Sequence, residues 1–306
     1  PEMSSGITRL GGLSPACMAI VSFCLIRYGI TGLLDFSKWW RMGLFIFAVF
    51  AGLFSGFRAY LVVLGLIFMV QFVLEGLHRT KWLPISAMAG ILFLAAVLPF
   101  SEKLPLSAQR AISFLPVKID PAARYDAEGS WDWRINMWGA LMGEIPKYFW
   151  IGKGYAIDPM DLMLTDEAVR RGQAESYETA LIAGDYHSGP LSVMLPFGIL
   201  GVVTFLWFLV TATKVLWLNQ KHGNPEHATI NNFLMASMVA KLVFYFFIFG
   251  AVNSDLATFV GLVSLSVVVN KGVRTRPFVP ENESLEVADQ RQPMPLRPPR
   301  PHLVPA

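Results

Sequence analysis

Three side chains in this sequence are of types that handle anions and protons, and each stands beside an apolar run. His187 precedes GPLSVMLPFGILG, Arg58 follows SGF at the head of a second run, and Arg134 lies in SWDWRINMWGALMGEIPKYFW. An arginine is permanently charged, and its planar fork grips phosphate oxygens in pairs. Two of them at a membrane interface would hold a diphosphate whose lipid tail stays in the bilayer. As a sugar leaves that diphosphate, negative charge builds on its oxygens and a fixed guanidinium stabilises it. A histidine, with an unperturbed pKa of about 6.5, can take the proton from an attacking hydroxyl. Taken singly, each residue has a plainer role. Arginines at a membrane end anchor by snorkelling, Arg134 suits the solvated face of an amphipathic helix, and His187 suits a hydrogen-bonded interface position.

The elements that must position these residues follow from composition. The chain has 306 residues, 54% hydrophobic and only 15% charged, with a mean hydropathy of +0.48. A soluble domain has about 45–50% apolar residues and about 25% charged, so the membrane class is indicated. A net charge of +3 gives nucleic-acid binding no support. Cys17 and Cys24 share one apolar segment, with Cα atoms about 10 Å apart if it is helical, too far for a disulfide. Helix packing is their expected role.

Apolar runs near the roughly 20 residues that cross a bilayer recur at Pro15–Leu34, Trp39–Phe57, Ala59–Leu77, Trp82–Phe100, Gly189–Leu216, Ile230–Val252 and Asp255–Val269. Backbone groups exposed to lipid must be paired internally, so each is expected to be helical. The expected fold is an all-α integral membrane protein of about seven spans. Its divisions are four helices in 1–100, a loop domain in 101–186, three helices in 187–270 and a tail in 271–306.

Orientation follows from where basic residues collect. Lys38 and Arg41, then His78, Arg79 and Lys81, then Lys214 and Lys221, then Lys271, Arg274 and Arg276 mark every second junction as cytoplasmic. The junctions at 55–58 and 251–255, and the long insertion 101–186, then face outward. Arg58, Arg134 and His187 share that outer layer. This topology puts the N-terminus outside, and PEMSSG carries no signal sequence; further spans are therefore expected upstream of Pro1. The stretch after Arg276 is proline-rich and polar, and reads as a disordered cytoplasmic tail.

Within the insertion, Trp131, Ile135, Trp138, Met142 and Ile145 recur at spacings of 4, 3, 4 and 3, one face of a helix with tryptophans suited to the headgroup layer. Pro146 ends or bends it. IGKGYA follows; its glycines are weak grounds for phosphate binding, because such turns usually only turn. Arg27 and Lys241 fall mid-span, where a charge costs about 2.5–3.5 kcal/mol, and are expected to face the bundle interior or snorkel. The acidic run DPMDLMLTDE (158–167) lacks a compact D-x-D pair, and His222 and His227 lack partners for a metal site, so no metal and no cofactor is expected. Arg170 and Arg171 are candidates for steering an anionic substrate.

Four segments, ITRLGGLSPACMAI (7–20), GLFSGFRAYLVVL (52–64), SWDWRINMWGALMGEIPKYFWIGKGYA (130–156) and YHSGPLSVMLPFGILG (186–201), together resemble the C-terminal half of the O-antigen ligase / O-antigen polymerase superfamily of bacterial inner-membrane glycosyltransferases. The resemblance implies a GT-C-like membrane fold of roughly a dozen spans with a large periplasmic loop. It implies a glycan donor carried on undecaprenyl diphosphate, transferred without a metal at the periplasmic face to a glycan, lipid A-core or protein acceptor. It implies that Arg58 and Arg134 bind diphosphate and that His187 assists the acceptor hydroxyl. Ser188, beside it, is expected to contact the substrate, though it stands where asparagine is commoner in the family, and Gly189–Pro190 follows.

Two functions of other classes stand beside this one. A transporter or lipid flippase predicts ionisable groups along a path through the bilayer and internal repeats; here the charges gather at one face and no repeat is found. A non-catalytic membrane partner would use the loop as a binding platform. Loss of turnover on changing His187 separates a transferase from both.

Overall fold

A computed structural model describes residues 2–4, 7–155, 158–175 and 177–278. Most of the expected proline-rich tail, 279–306, lies outside the described residues. Two three-residue strands, β1 (Glu2–Ser4) and β2 (Ile7–Arg9), pair antiparallel at the start of the chain. Among the described residues, everything regular beyond them is helical.

Seven long helices stand at the seven expected runs: α1 (Leu13–Leu33), α2 (Trp40–Leu53), α3 (Arg58–Leu74), α4 (Trp82–Val97), α10 (Gly189–His222), α11 (Ala228–Phe247) and α12 (Val252–Val269). Four of them, α1, α10, α12 and α11 with the turn leading into it, are long and apolar enough to cross a membrane. The other three are shorter than the sequence predicts, at 14, 17 and 16 residues. The reason is local. Ser55 folds its hydroxyl back onto the Gly52 carbonyl at 2.6 Å, ending α2 four residues before Phe57, and Gly56 turns with φ 78°. α4 tightens into a 3-10 turn at Leu98–Lys103.

Between α4 and α10 the insertion folds as α5 (Leu106–Ala111), α6 (Pro121–Met142), α7 (Ile145–Tyr148), α8 (Pro159–Arg170) and α9 (Glu178–Ile182). Asp120 caps α6 by accepting from Ala122 N at 2.8 Å, ahead of Pro121 at the first helical position, a common helix start. The acidic run at 158–167 forms α8, with Asp158 as its cap. Pro146 falls in the first turn of α7, so α6 ends before it.

α11 is the centre of the bundle and packs against α1, α3, α10 and α12. Leu25, Ile67, Leu216, Leu234, Met238 and Phe259 are buried there. Cys17 and Cys24 are buried free thiols in the same core, as packing residues. Hydrophobic burial does not drive association between helices in lipid, so packing and polar contacts carry more of the load. Lys241 meets this need, pairing at 2.6 Å with Asp255 of α12; Arg27 stays exposed beside Tyr28. Where α10, α11 and α12 meet at 219–274, Asn231 and Asn270 exchange amide bonds at 3.0 and 2.8 Å, and Asn219 holds Ser266 O and Arg274 N.

Two long helices are broken. Gly29 leaves α1 with φ 65°, and the freed N–H groups of Ile30 and Thr31 donate to the two oxygens of Glu75, each at 2.9 Å. Gln71 donates to Leu25 O on the other side of the break. α10 is broken at Gly198, two residues after Pro196. Its i→i−4 bond from Ile199 to Leu195 is replaced from outside the helix: Ile199 N donates to Phe149 O, and Leu195 O accepts from Lys153 N, both at 2.7 Å. Pro196 O accepts from Gly154 N at 2.9 Å. The glycine turn at 152–154 therefore spends two backbone donors on a helix break rather than on an anion. A Cβ on Gly152 would sit 2.2 Å from Pro196 O, and one on Gly198 would sit 2.6 Å from Trp150 O.

Candidate active site

Asp126, Ser130 and Arg134 recur every four residues along α6, one stripe of that helix, and all three line a single cavity of about 980 Å³. The adjoining stripe, Trp133, Met137, Trp138 and Leu141, packs against Tyr186, Leu191 and Leu195. On the face read from the spacing, Trp131, Ile135 and Met142 are exposed, while Trp138 and Ile145 join the core. The helix thus docks by the adjoining stripe and leaves most of the face read from the spacing exposed.

Two arginines hold α6 to the head of α3. Arg58, the first residue of α3, donates from Nη2 to Ala127 O at 3.2 Å. Arg110, on α5, forms a buried ion pair with Asp126 and donates to Gly56 O at 2.6 Å and to Ser130 Oγ at 3.3 Å. Both line the cavity. Arg110 was missed in the sequence, where AQRAISFL belongs to no motif. The available signal was a lone cation in a short apolar stretch of the insertion.

The guanidinium of Arg134 stands 5.4 Å from the Phe249 ring. Burial and the neighbouring Arg110 both press its pKa downward. Among the described residues, the cavity wall thus carries three guanidiniums and one carboxylate, that of Asp126. Positive groups that crowd one another in a partly buried space favour an anion.

His187 joins the same cavity. Its ring lies between Trp133 and Phe249, with edge-to-face contacts at 5.0 and 4.9 Å. Its backbone takes φ 48°, a left-handed conformation that costs a non-glycine residue roughly 1–2 kcal/mol. The surroundings enforce it. Trp138 Nε1 donates to Tyr186 O at 2.9 Å on one side. On the other, Gly189 lies so close to α11 that a Cβ there would meet Tyr245 O at 2.3 Å. Tyr245 donates its hydroxyl to Gly189 O at 2.8 Å, and Ser192 Oγ links the same carbonyl to Val252 N.

Burial lowers the pKa of His187 most strongly; the Arg134 charge lowers it further, and Asp185, 3.6 Å from Nε2, partly opposes both. The net direction leaves the imidazole neutral at pH 7, with Nδ1 buried and without a hydrogen-bond partner. A neutral imidazole beside a cationic cavity is able to accept a proton while the cavity holds an anion.

The structure therefore brings Arg58, Arg134 and His187 together. Ser188 caps α10 through its backbone, its carbonyl accepting from Ser192 N at 2.9 Å, and does not line the cavity. Arg170 and Arg171 lie outside it as well: they are exposed on α8 and pair with Asp166 and Glu167 one turn earlier.

No curated protein and no solved structure matches the chain. The family model described as O-antigen ligase does match, over residues 43–206. That is more than half of the chain, from α2 into α10, and it contains Arg58, Arg110, Arg134 and His187. With helices of membrane-crossing length at hand, this chain is a multi-pass membrane protein belonging to the O-antigen ligase family.

Proposed function

We propose that the chain is a glycosyltransferase that moves a glycan from undecaprenyl diphosphate to an acceptor hydroxyl at the periplasmic face of the bacterial inner membrane, without a metal ion. The observation that carries this reading is the shared cavity of Arg58, Arg110, Arg134 and His187. Its wall is two-sided. The guanidiniums suit a diphosphate, while Phe57, Val62, Phe244 and Phe247 suit the first units of a hydrocarbon chain.

In the step proposed, His187 takes the proton of the acceptor hydroxyl as its oxygen bonds to the anomeric carbon of the donor sugar. The bond from that carbon to the phosphate oxygen breaks, and the electron pair leaves with the diphosphate. Arg58 and Arg134 neutralise the charge as it develops, while Arg110 holds α6 and the head of α3 at a fixed separation.

The test uses membranes carrying the chain, undecaprenyl-diphosphate glycan, and lipid A-core, glycan and peptide acceptors in parallel. Arg58→Ala, Arg134→Ala and His187→Ala are each expected to abolish transfer at unchanged expression, and the acceptor consumed by the parent chain identifies its specificity. Transfer that survives all three substitutions would remove the cavity from the reaction.

A further inference from the structure

The exposed turn at Trp150–Ile151 has no part in the cavity, yet it is fixed to α10 by the three backbone bonds that bridge the Gly198 break. The level of that break relative to a bilayer follows from α10 itself. From Gly198 to Lys221 is about 35 Å of helix, against roughly 30 Å of hydrocarbon. Along this stretch Leu200, Val203, Trp207 and Val210 are exposed, an apolar ladder of membrane-crossing length. At its far end Lys221 sits over Trp217 at 4.9 Å, beside His222, a composition typical of a membrane boundary. Before the break the surroundings change. Leu191 and Leu195 are buried against Met137 and Leu141 of α6, so this part of α10 meets protein and not lipid.

The break therefore coincides with the opposite boundary, and the turn clipped to it occupies the same level. There Trp150 is 72% exposed and Ile151 85% exposed, and Tyr155 packs on Phe197 of α10 at 5.5 Å. Tryptophan and tyrosine gather at headgroup depth because their rings are apolar at one end and polar at the other. We infer that Trp150 and Ile151 form an interfacial anchor, inserted into the lipid headgroup layer, that fixes the depth of the folded 101–186 segment on the membrane.

A spin label attached to Ile151→Cys, in the full chain reconstituted into phosphatidylethanolamine–phosphatidylglycerol vesicles, tests this directly. Cys17 and Cys24 are buried, so the new thiol is the accessible one. Relaxation by oxygen, which concentrates in lipid, is compared with relaxation by a water-soluble nickel chelate, and Asp166→Cys on exposed α8 serves as reference. The oxygen-to-nickel ratio is expected to be several-fold higher at 151 than at 166. Equal ratios would place the turn in water, and exclusion of both agents at 151 would place it under protein, from a second copy or another chain; either result overturns the inference. Should Ile151→Cys fail to fold, the loss of brominated-lipid quenching in Trp150→Phe gives the same reading. Neither measurement depends on transfer, so the anchor and the proposed reaction stand or fall separately.

Discussion

Arg110 donates to the carbonyl of Gly56 at 2.6 Å, joining positions 54 residues apart in the chain. The bond ties α5 of the insertion to the turn two residues before Arg58, so two of the three arginines that line the cavity meet at the head of α3.

Arg110 also neutralises the buried Asp126, which sets the cost of losing it. Removing one partner of a buried ion pair costs about 3–5 kcal/mol. Arg110→Ala is therefore expected to lower the thermal midpoint in detergent sharply, and Arg110→Met combined with Asp126→Leu to recover most of the loss. Equal destabilisation in the single and double variants would show that the support at Gly56, not the charge, is what matters.

The pH dependence follows from His187. Its pKa lies below the ordinary value of about 6.5, chiefly through burial. Transfer is expected to rise with pH through that lowered value and to be flat near neutrality, since the base must be unprotonated. Asp185→Asn removes the carboxylate that holds the pKa up, so the acid limb of the rate profile should move to lower pH. Linkage has a matching sign: stability due to the neutral ring is full above about 6.5 and is lost as pH falls toward the folded-state pKa. A limb that moves to higher pH in Asp185→Asn would assign it to another group.

Gly152 and Gly154 have different tasks despite their shared positive φ of 87° and 78°. A Cβ at 152 collides with Pro196 O, while nothing lies within 4 Å of one at 154. Gly154→Ala should cost only the backbone strain, roughly 1–2 kcal/mol, and Gly152→Ala distinctly more. Thermal unfolding of the two variants in parallel checks the order.

Gly189→Ala tests how tightly His187 is placed. The added methyl would meet Tyr245 O at 2.3 Å, pushing the start of α10 off α11. A displacement near 1 Å costs on the order of a hundredfold in rate, so transfer should fall by that order while the protein is still inserted and folded. Full activity would show that the histidine tolerates movement.

The positions of the long helices were legible because apolar runs report burial or lipid contact directly. The breaks at Gly29 and Gly198 were not, since a glycine inside an apolar run reads the same whether the helix passes through it or stops. The role of the IGKG turn was hidden for a related reason: its partners, Leu195 and Pro196, lie more than 40 residues later. Arg58, Arg134 and His187, which share the cavity, were singled out through motif order. Arg110 was not, because its meaning comes from Gly56 and Asp126, which only folding brings to it. Arg170 and Arg171 lie outside the cavity, each paired within its own helical turn. Asp166 and Glu167 stand four residues before them, a spacing that already favours local helix pairs.

The break in α1 sets an order of events during synthesis. Its exposed amide groups at Ile30 and Thr31 are satisfied by Glu75, which leaves the ribosome 45 and 44 residues after them. Until α3 arrives, a bent α1 would hold two unpaired donors that water or the translocation channel must solvate. α1 can enter the membrane early but cannot reach its final bent form before α3 is beside it, so the two mature as a pair, with the later helix completing the earlier one.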